Sequence, residues 1–316
     1  MQINYLILTH NQPLQLKRLI SALQARQVSF YVHIDKKTDI GPFKDALSEF
    51  ENVVLLEDKA RVDVVWGDMS IVQATLNILQ QIPLSGKGYC VLLSGQDYPI
   101  KSTAYISGYL QENYGADFIS INPLPFASWP NSGMDRITKY KVNFSNKQFD
   151  YYLLPSVFEK EFYSAATWKV VRKILLTSKG GVLSKLLKRR KVPGNSKVYG
   201  GHAWWAFTNE TVGAILGYLK SNPTLLSYFE DSLLPDEMIF QTVFMALPVV
   251  SNSAVIKAEL TYVNWDKPNV TLPVTFTHED FDELNAHPDK LFARKFSYAV
   301  DTKIFDLIDQ RILNKG

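Results

Sequence analysis

The sequence predicts an α/β protein built around a mostly parallel central β-sheet. Three observations support this prediction: short apolar runs alternate with amphipathic stretches up to residue 121, the chain has 316 residues, and 46% of them are hydrophobic. Strands that alternate with helices indicate parallel βαβ units. The length and the hydrophobic fraction are ample for a sizeable core and argue against a disordered chain.

Five strands and two helices are predicted in the first part of the chain. The strands are residues 3–8, 30–34, 52–56, 88–94 and 116–121. Pro13 suits a first helical turn, and the apolar residues after it recur with helical spacing. These residues are Leu16, Leu19, Ile20 and Leu23. A second helix is expected over residues 68–81. From about residue 124 Pro, Ser and aromatic residues dominate, which predicts a loop-rich second half.

The charge and the cysteine content narrow the class of protein. A net charge of +3 is too small an excess to indicate nucleic-acid binding. The single cysteine, Cys90, excludes a disulfide within the chain and argues against a cysteine-based metal site. Its apolar neighbours predict burial in a strand. The N-terminus lacks the features of a secretory signal, and no apolar run reaches the roughly 18 residues of a membrane span, so a soluble, cytoplasmic protein is expected.

Both common phosphate-binding loops are absent from the sequence. A dinucleotide-binding fold places G-x-G-x-x-G after its first strand, but here residues 9–13 read THNQP. No G-x-x-x-x-G-K-[ST] occurs anywhere. His10 and Asn11, which end the first strand, are the first candidates for a ligand at the carboxyl edge of the sheet.

Six segments carry distinctive residue patterns. They are FYVHIDKK (30–37), WGDMSIVQATLN (66–77), SGQDYPIK (94–101), YGGHAWWAFT (199–208), LLPDEMIFQT (233–242) and LFARKF (291–296). In this order they resemble the core-2/I-branching N-acetylglucosaminyltransferases and the related peptide O-xylosyltransferases, glycosyltransferase family 14. The resemblance runs from about residue 3 to 310, and six motifs in the correct order make it specific.

The resemblance implies a GT-A-type glycosyltransferase fold of one domain over residues 1–316. A soft subdivision gives a UDP-binding half (1–124) and an acceptor-binding half (125–316) that ends in a diphosphate-binding segment. The implied activity is inverting transfer of a sugar, GlcNAc in the first instance, from a UDP donor to a glycan hydroxyl in cell-surface polysaccharide synthesis. UDP-xylose or another UDP-hexose is the alternative donor. A non-catalytic carbohydrate-binding protein is the alternative of a different class.

The donor alternatives stay open because the sequence mixes two branches of the family. The xylosyltransferases carry a catalytic Asp in a G-S-D-W-F segment, and Ala203 stands at the matching position here. The FARKF segment, in contrast, resembles the xylosyltransferases. The carbohydrate-binding alternative is disfavoured, because a lectin needs neither a base nor a group that holds a departing diphosphate.

No divalent metal is expected to be required. Most GT-A enzymes hold a cation with an Asp-x-Asp pair after the fourth strand, where this sequence offers only Asp97. The one Asp-x-Asp, formed by Asp280 and Asp282, is interpreted as a solvated helix start. Something else must then balance the charge on the departing UDP. The resemblance assigns Arg294 and Lys295 to the diphosphate, and cations of this kind bind phosphate.

Glu237 is the candidate general base. It belongs to a Pro-Asp-Glu sequence before an apolar helical run, a place where acidic residues also occur for helix-dipole reasons alone. An inverting transfer needs a base for the acceptor proton, and in the core-2-type enzymes the Glu of this motif has that role.

The other candidate residues fall into two groups. The nucleotide-binding candidates are His10, Asn11, Asp35 and Trp66. The candidates for contact with the donor or acceptor sugar are Gln96, Asp97, His202, Trp204 and Trp205. The two adjacent tryptophans would point to opposite faces of a strand, so one is expected in the core and the other at the site.

A basic amphipathic stretch, KLLKRRK, begins at Lys185 and ends at Lys191. It is either a solvated helix face or a surface for an anionic membrane or a lipid-linked acceptor. The absence of an anchor and of the many cysteines of the vertebrate relatives is typical of a bacterial protein. Peripheral binding to the inner face of the plasma membrane is therefore one expectation.

Overall fold

A computed structural model of the chain describes residues 1–177, 181–248 and 255–313. The elements up to residue 123 are β1 (Gln2–Thr9), α1 (Pro13–Ala22), β2 (Val28–Ile34), α2 (Gly41–Leu47), β3 (Val53–Leu55), α3 (Met69–Leu79), β4 (Gly88–Ser94), β5 (Asp97–Pro99), α4 (Thr103–Glu112), β6 (Ala116–Ile119) and β7 (Asn122–Pro123). The five predicted strands and both predicted helices are present, with bounds shifted by one or two residues.

The later elements are more numerous than the sequence predicted. They are α5 (Met134–Thr138), β8 (Tyr140–Asn143), β9 (Tyr151–Leu154), α6 (Ala165–Leu175), α7 (Gly181–Leu186), β10 (Tyr199–Gly200), β11 (Trp205–Thr208), α8 (Asn209–Ser221), α9 (Pro223–Phe229), α10 (Ile239–Ala246), β12 (Val255–Lys257), β13 (Thr261–Val263), α11 (Phe281–Asn285), β14 (Phe292–Arg294) and α12 (Lys303–Arg311). Between β7 and β8 the backbone is irregular over residues 124–129 and then forms a 3-10 turn (Pro130–Gly133) and α5, so the loop-rich prediction holds only for the first part of this region.

Among the described residues, the central sheet has seven strands in the order β3-β2-β1-β4-β11-β6-β12. The first four are mutually parallel, β11 is antiparallel to both neighbours, and β12 is parallel to β6. The prediction of an α/β fold with a mostly parallel central sheet is confirmed. Because β1, β2 and β4 lie side by side, their carboxyl ends meet at one edge of the sheet.

Apolar side chains cover both faces of this sheet. On β1, Ile3, Tyr5 and Ile7 enter one apolar cluster and Leu6 enters the other, the alternation expected of a buried parallel strand. The cluster around Tyr5 also contains Phe292 from β14, so the C-terminal segment packs onto the first strands. Cys90 is fully buried in β4, which confirms its predicted place, and burial raises the pKa of its thiol to about 12.

A third apolar cluster lies outside the central sheet. It joins the antiparallel hairpin β8–β9 to α6 and α7. Its buried members are Tyr140, Val142, Leu154, Phe162, Val170, Val171, Ile174 and Leu186. Within the described ranges no helix is both long and apolar enough to span a bilayer.

Candidate active site

The carboxyl ends of three parallel strands bring several predicted residues to one edge of the sheet. Leu8 pairs with Ser94 and Thr9 pairs with Ile34 in the strand registers. The next residues stay tied together, because the Asp35 amide donates to the Thr9 carbonyl at 2.9 Å. The segments with His10, Asp35 and Gln96 therefore lie side by side, where open α/β sheets bind their ligands.

The nucleotide-binding candidates on β1 and β2 differ in accessibility. His10 and Asn11 are exposed just beyond β1. Asp35 is buried, and its carboxylate accepts from the Lys37 amide at 2.9 Å and pairs with the Lys37 ammonium at 3.2 Å. Asp35 therefore shapes its own turn, while the exposed pair on β1 is open to a ligand.

Buried His33 holds the loop that leads to Trp66. The Val62 amide donates to Nε2 of His33 at 2.8 Å. Burial lowers the pKa of His33 to about 4, so its imidazole is neutral and can accept this bond near pH 7. The contact fixes the loop between β3 and α3 against the strand edge.

Trp66 itself lies under the β8–β9 hairpin. Its ring centroid is 4.7 Å from that of Phe149 and 6.3 Å from that of Tyr151. From β8, the Lys141 ammonium donates to the carbonyls of Trp66 at 3.2 Å and Gly67 at 2.9 Å. Burial lowers the pKa of Lys141. No sequence pattern marks this lysine, which holds the hairpin over the candidate nucleotide-binding edge.

Arg294 sits in a well-defined polar cluster. The antiparallel pairing of β14 with β5 puts it directly opposite Asp97. Its Nε lies 3.3 Å from Oδ1 of Asp97, its Nη2 donates to Ser94 Oγ at 3.0 Å, and its guanidinium is 4.0 Å from the ring centroid of Trp204. Asp97 is fully buried and orients Arg294. It was predicted to contact a sugar, but its burial leaves it no surface for such a contact.

Lys295, the second cation of the pair, differs from Arg294 in its contacts. Among the described residues, no carboxylate oxygen lies within 4 Å of the Lys295 ammonium. Burial, and then the charge of Arg294, lower the pKa of Lys295. The segment that contains Lys295 is held beside the end of β4, because Gln15 Nε2 donates to the carbonyls of both Gly95 at 2.8 Å and Phe296 at 3.1 Å. Phe296 in turn donates to the Gln96 carbonyl at 2.8 Å.

The Pro235–Glu237 turn reaches the same region from the other half of the chain. The Leu234 amide donates to Gly67 at 3.0 Å, and the Gly201 amide donates to the Glu237 carbonyl at 2.9 Å. Arg136 Nη1 donates to Oε2 of Glu237 at 2.5 Å. In the described part of the chain, Oε1 of Glu237 accepts no hydrogen bond. One carboxylate oxygen is held and the other is free to take a proton.

Arg136 and Trp129 are functional candidates that sequence reasoning missed. The Arg136 guanidinium lies 3.6 Å from the ring centroid of Trp129, and the arginine side chain is 13% exposed. Trp129 lies in irregular backbone after β7 and Arg136 on the five-residue helix α5, which is too short for a periodic pattern to mark it. Stacking on one side and ion pairing on the other fix the orientation of Glu237.

Asp236, next to the candidate base, has a different environment. Its Oδ1 is buried and has no hydrogen-bond partner among the described residues. Burial, and then the neighbouring Glu237 carboxylate, raise the pKa of Asp236 to about 7. Arg294 is close enough for its charge to act on Asp236, which brings the base region and the cationic segment together.

The raised pKa of Asp236 predicts a pH-dependent stability difference. Between about pH 4 and pH 7 the unfolded chain ionises this carboxyl more readily than the folded chain, so its contribution to the free energy of unfolding falls as pH rises. The Asp236→Asn variant has no carboxyl group at this position, so its free energy of unfolding does not decrease for this reason. We expect urea unfolding to show the variant gaining about 1 kcal/mol or more relative to the parent between pH 4 and pH 8. A constant difference across this range would contradict the assignment.

The remaining sugar-contact candidates, His202, Trp204 and Trp205, lie in different environments. His202 Nδ1 lies 3.2 Å from Oε1 of Glu259, and this contact raises the pKa of the imidazole. Trp205 is 2% exposed and stacks on Phe207 with ring centroids 4.5 Å apart, so it belongs to the core and not to the sugar contacts. Trp204 covers Arg294. One tryptophan is thus in the core and the other at the site.

The only Asp-x-Asp lies at a helix start, as predicted, although Asp280 is buried instead of solvated. Its Oδ2 accepts from the Thr277 amide at 2.8 Å, and Oδ1 pairs with Lys267 at 2.5 Å. The contact between Thr277 and Asp280 belongs to a capping box. Over residues 1–177, 181–248 and 255–313, no three His, Cys, Asp or Glu side chains are grouped as metal ligands.

Comparisons with known proteins point to one family. A family model described as "Branch: Core-2/I-Branching enzyme" matches residues 3–285. Xylosyltransferase 2 of Canis lupus familiaris is 22% identical over 98% of this chain and 33% of its own length. Xylosyltransferase oxt of Drosophila melanogaster is 24% identical over 92% of this chain and 31% of its own length. The chain therefore spans about a third of these curated relatives.

A solved structure, the 4-diphosphocytidyl-2C-methyl-D-erythritol synthase of Anaerococcus prevotii, aligns with 90% of this chain and 95% of its own. The TM-score is 0.39 and the sequence identity is 12%.

Proposed function

This chain belongs to the Core-2/I-branching enzyme family, and on that premise we propose that it is an inverting, UDP-sugar-dependent glycosyltransferase. The resemblance predicted from the six motifs is confirmed. The observation that carries the proposal is the convergence of a carboxylate with one free oxygen, Glu237, and a cationic segment, Arg294 and Lys295, at the carboxyl edge of the sheet. A base and a leaving-group site are the two parts that such a transfer requires.

The proposed reaction proceeds in one displacement. Oε1 of Glu237 accepts the proton of an acceptor hydroxyl as that oxygen attacks the anomeric carbon of the donor. The bond between the anomeric carbon and the UDP oxygen breaks on the opposite face, and UDP leaves with the bonding electrons. In this mechanism Lys295 and Arg294, which is held by Asp97, neutralise the charge on the departing diphosphate.

The sugar is proposed to be GlcNAc, transferred to a glycan hydroxyl in bacterial cell-surface polysaccharide synthesis. The use of Glu237 as base, with Ala203 at the position of the xylosyltransferase Asp, favours this donor. UDP-xylose is the second candidate, and it is favoured by the names of the xylosyltransferase relatives and by the FARKF segment.

Release of UDP from a panel of UDP-sugars, measured with and without glycan acceptors, tests the proposal. We expect acceptor-dependent release, largest with UDP-GlcNAc, and undiminished by excess EDTA, because Lys295 and Arg294 take the place of a metal. UDP-xylose as the better donor would support the second candidate. Activity lost in EDTA and restored by Mn²⁺ would contradict metal independence. Sugar binding without UDP release from any donor would favour a non-catalytic carbohydrate-binding protein.

A further inference from the structure

Positive charge is concentrated in one part of the chain. Residues 158–191 contain ten Lys and Arg against two Glu, whereas the whole chain has 34 Lys and Arg against 31 Asp and Glu. The rest of the chain is therefore net acidic, with 24 basic and 29 acidic residues. Such an asymmetry favours an extended anionic surface as the partner of this segment.

The basic stretch 185–191 is less available than its sequence indicated. Arg190 is mostly buried and donates to the carbonyls of Lys139 and Tyr228, each at 2.6 Å. Lys185 pairs with Asp231 at 2.7 Å, and Arg189 pairs with Glu159 at 3.2 Å. Three of its five cations thus have protein partners.

Helix α6 has one buried side and one exposed side. Val170, Val171 and Ile174 are buried in the third apolar cluster. The opposite side carries Trp168, Leu175 and the C-cap residue Leu176, which are 51%, 63% and 78% exposed.

Exposed cations lie among these apolar residues on α6. At 100° per residue, Leu175, Trp168, Arg172, Leu176 and Lys169 fall within an arc of about 120°. Among the described residues, no carboxylate lies within 4 Å of the charged groups of Lys169 and Arg172. The mixture of large apolar side chains and unpaired cations on one face is characteristic of helices that lie in a membrane interface.

We propose that this face of α6 docks on the surface of an anionic lipid bilayer. Trp168, Leu175 and Leu176 would enter the boundary between headgroups and acyl chains, where a tryptophan ring is favourable. Lys169 and Arg172 would contact the anionic headgroups. A nucleic acid would use the two cations but would gain little from the exposed leucines, so the apolar residues select a bilayer.

Side-chain contacts link the proposed docking face of α6 to the candidate active site. The Lys173 ammonium, at the edge of the face, lies 3.9 Å from the ring centroid of Phe144 between the hairpin strands, and this hairpin covers Trp66. Arg190 also donates to the Arg136 carbonyl at 3.2 Å. A membrane-bound α6 would hold the acceptor side of the site near the lipid surface, where a lipid-linked glycan acceptor is presented.

Flotation of the 316-residue chain with vesicles tests the proposal. We expect binding to phosphatidylcholine vesicles that contain 30% phosphatidylglycerol, weakening as salt is raised, and little binding to pure phosphatidylcholine. Lys169→Glu with Arg172→Glu should reduce binding by about tenfold or more. Lys44→Glu with Lys303→Glu makes the same change of net charge at exposed lysines on other helices, α2 and α12, and should leave most of the binding intact.

The apolar part of the surface needs its own measurement. Trp168→Ser with Leu176→Ser should lower vesicle binding about tenfold. Trp168→Phe should keep binding but remove the quenching of tryptophan fluorescence by brominated acyl chains. Absence of binding at low salt, equal binding to neutral vesicles, or equal losses in the Lys44 and Lys303 control would overturn the proposal. The proposal would also be overturned if heparin or DNA bound as tightly as the vesicles and the Trp168→Ser with Leu176→Ser variant bound these polyanions as well as the parent does.

Discussion

Glu237→Gln is expected to lower turnover by about 10²–10⁴-fold, the usual contribution of a positioned general base. Gln retains the size of the side chain and an oxygen that can accept from Arg136, but it cannot take the acceptor proton. Donor binding precedes that proton transfer, so UDP affinity should be unchanged. Steady-state UDP release gives kcat, and calorimetry gives the UDP affinity of the same variant.

Asp236 supplies the matched control, because it is the adjacent carboxyl group but has its Oδ1 buried. Asp236→Asn is expected to keep turnover within about tenfold of the parent, since on this assignment it transfers no proton. Near-normal turnover in Glu237→Gln would reject the base assignment. Loss of activity in Asp236→Asn alone would move the base by one residue, to a carboxyl whose pKa of about 7 would also suit a general base.

Local patterns were sufficient for the first half of the fold. Pro13 marked the start of α1, the i, i+3, i+4, i+7 spacing marked its buried face, and short apolar runs marked β1, β2 and β4. These signals depend on neighbours within one or two helical turns. Strand β11 gave no comparable signal, because Trp205–Thr208 is four residues long and its antiparallel insertion between β4 and β6 is a long-range event.

The candidate site shows the same limit. The motifs singled out Asp97, Glu237 and Arg294, but the contact of Asp97 with Arg294 depends on the pairing of β5 with β14, nearly 200 residues apart in sequence. Arg136 lies 101 residues before Glu237, and Lys141 lies 75 residues after Trp66. Neither cation belongs to a recognisable motif. Such contacts become visible only when the hairpin and the Pro235–Glu237 turn are brought together in space.

Lys295→Ala is expected to weaken UDP binding by about 10–100-fold, because a hydrogen bond to a charged group contributes about 1.5–3 kcal/mol. The structure makes Lys295 a cleaner test than Arg294. Arg294→Ala would leave the buried Asp97 carboxylate without its cation, and loss of one partner of a buried pair destabilises the fold. Lys295 has no carboxylate within 4 Å among the described residues, so its removal leaves no such unpaired charge.

Comparison of UDP with uridine separates diphosphate binding from a general loss of structure. Calorimetry of Lys295→Ala should show the weakened affinity for UDP, whereas uridine, which lacks the diphosphate, should bind the variant and the parent equally. Lys303→Ala, an exposed lysine on α12, is the matched control and should bind both ligands normally. Equal losses for UDP and uridine would indicate a folding defect. Unchanged UDP binding would remove Lys295 from the diphosphate site and leave Arg294, held by Asp97 and Ser94, to neutralise the departing charge alone.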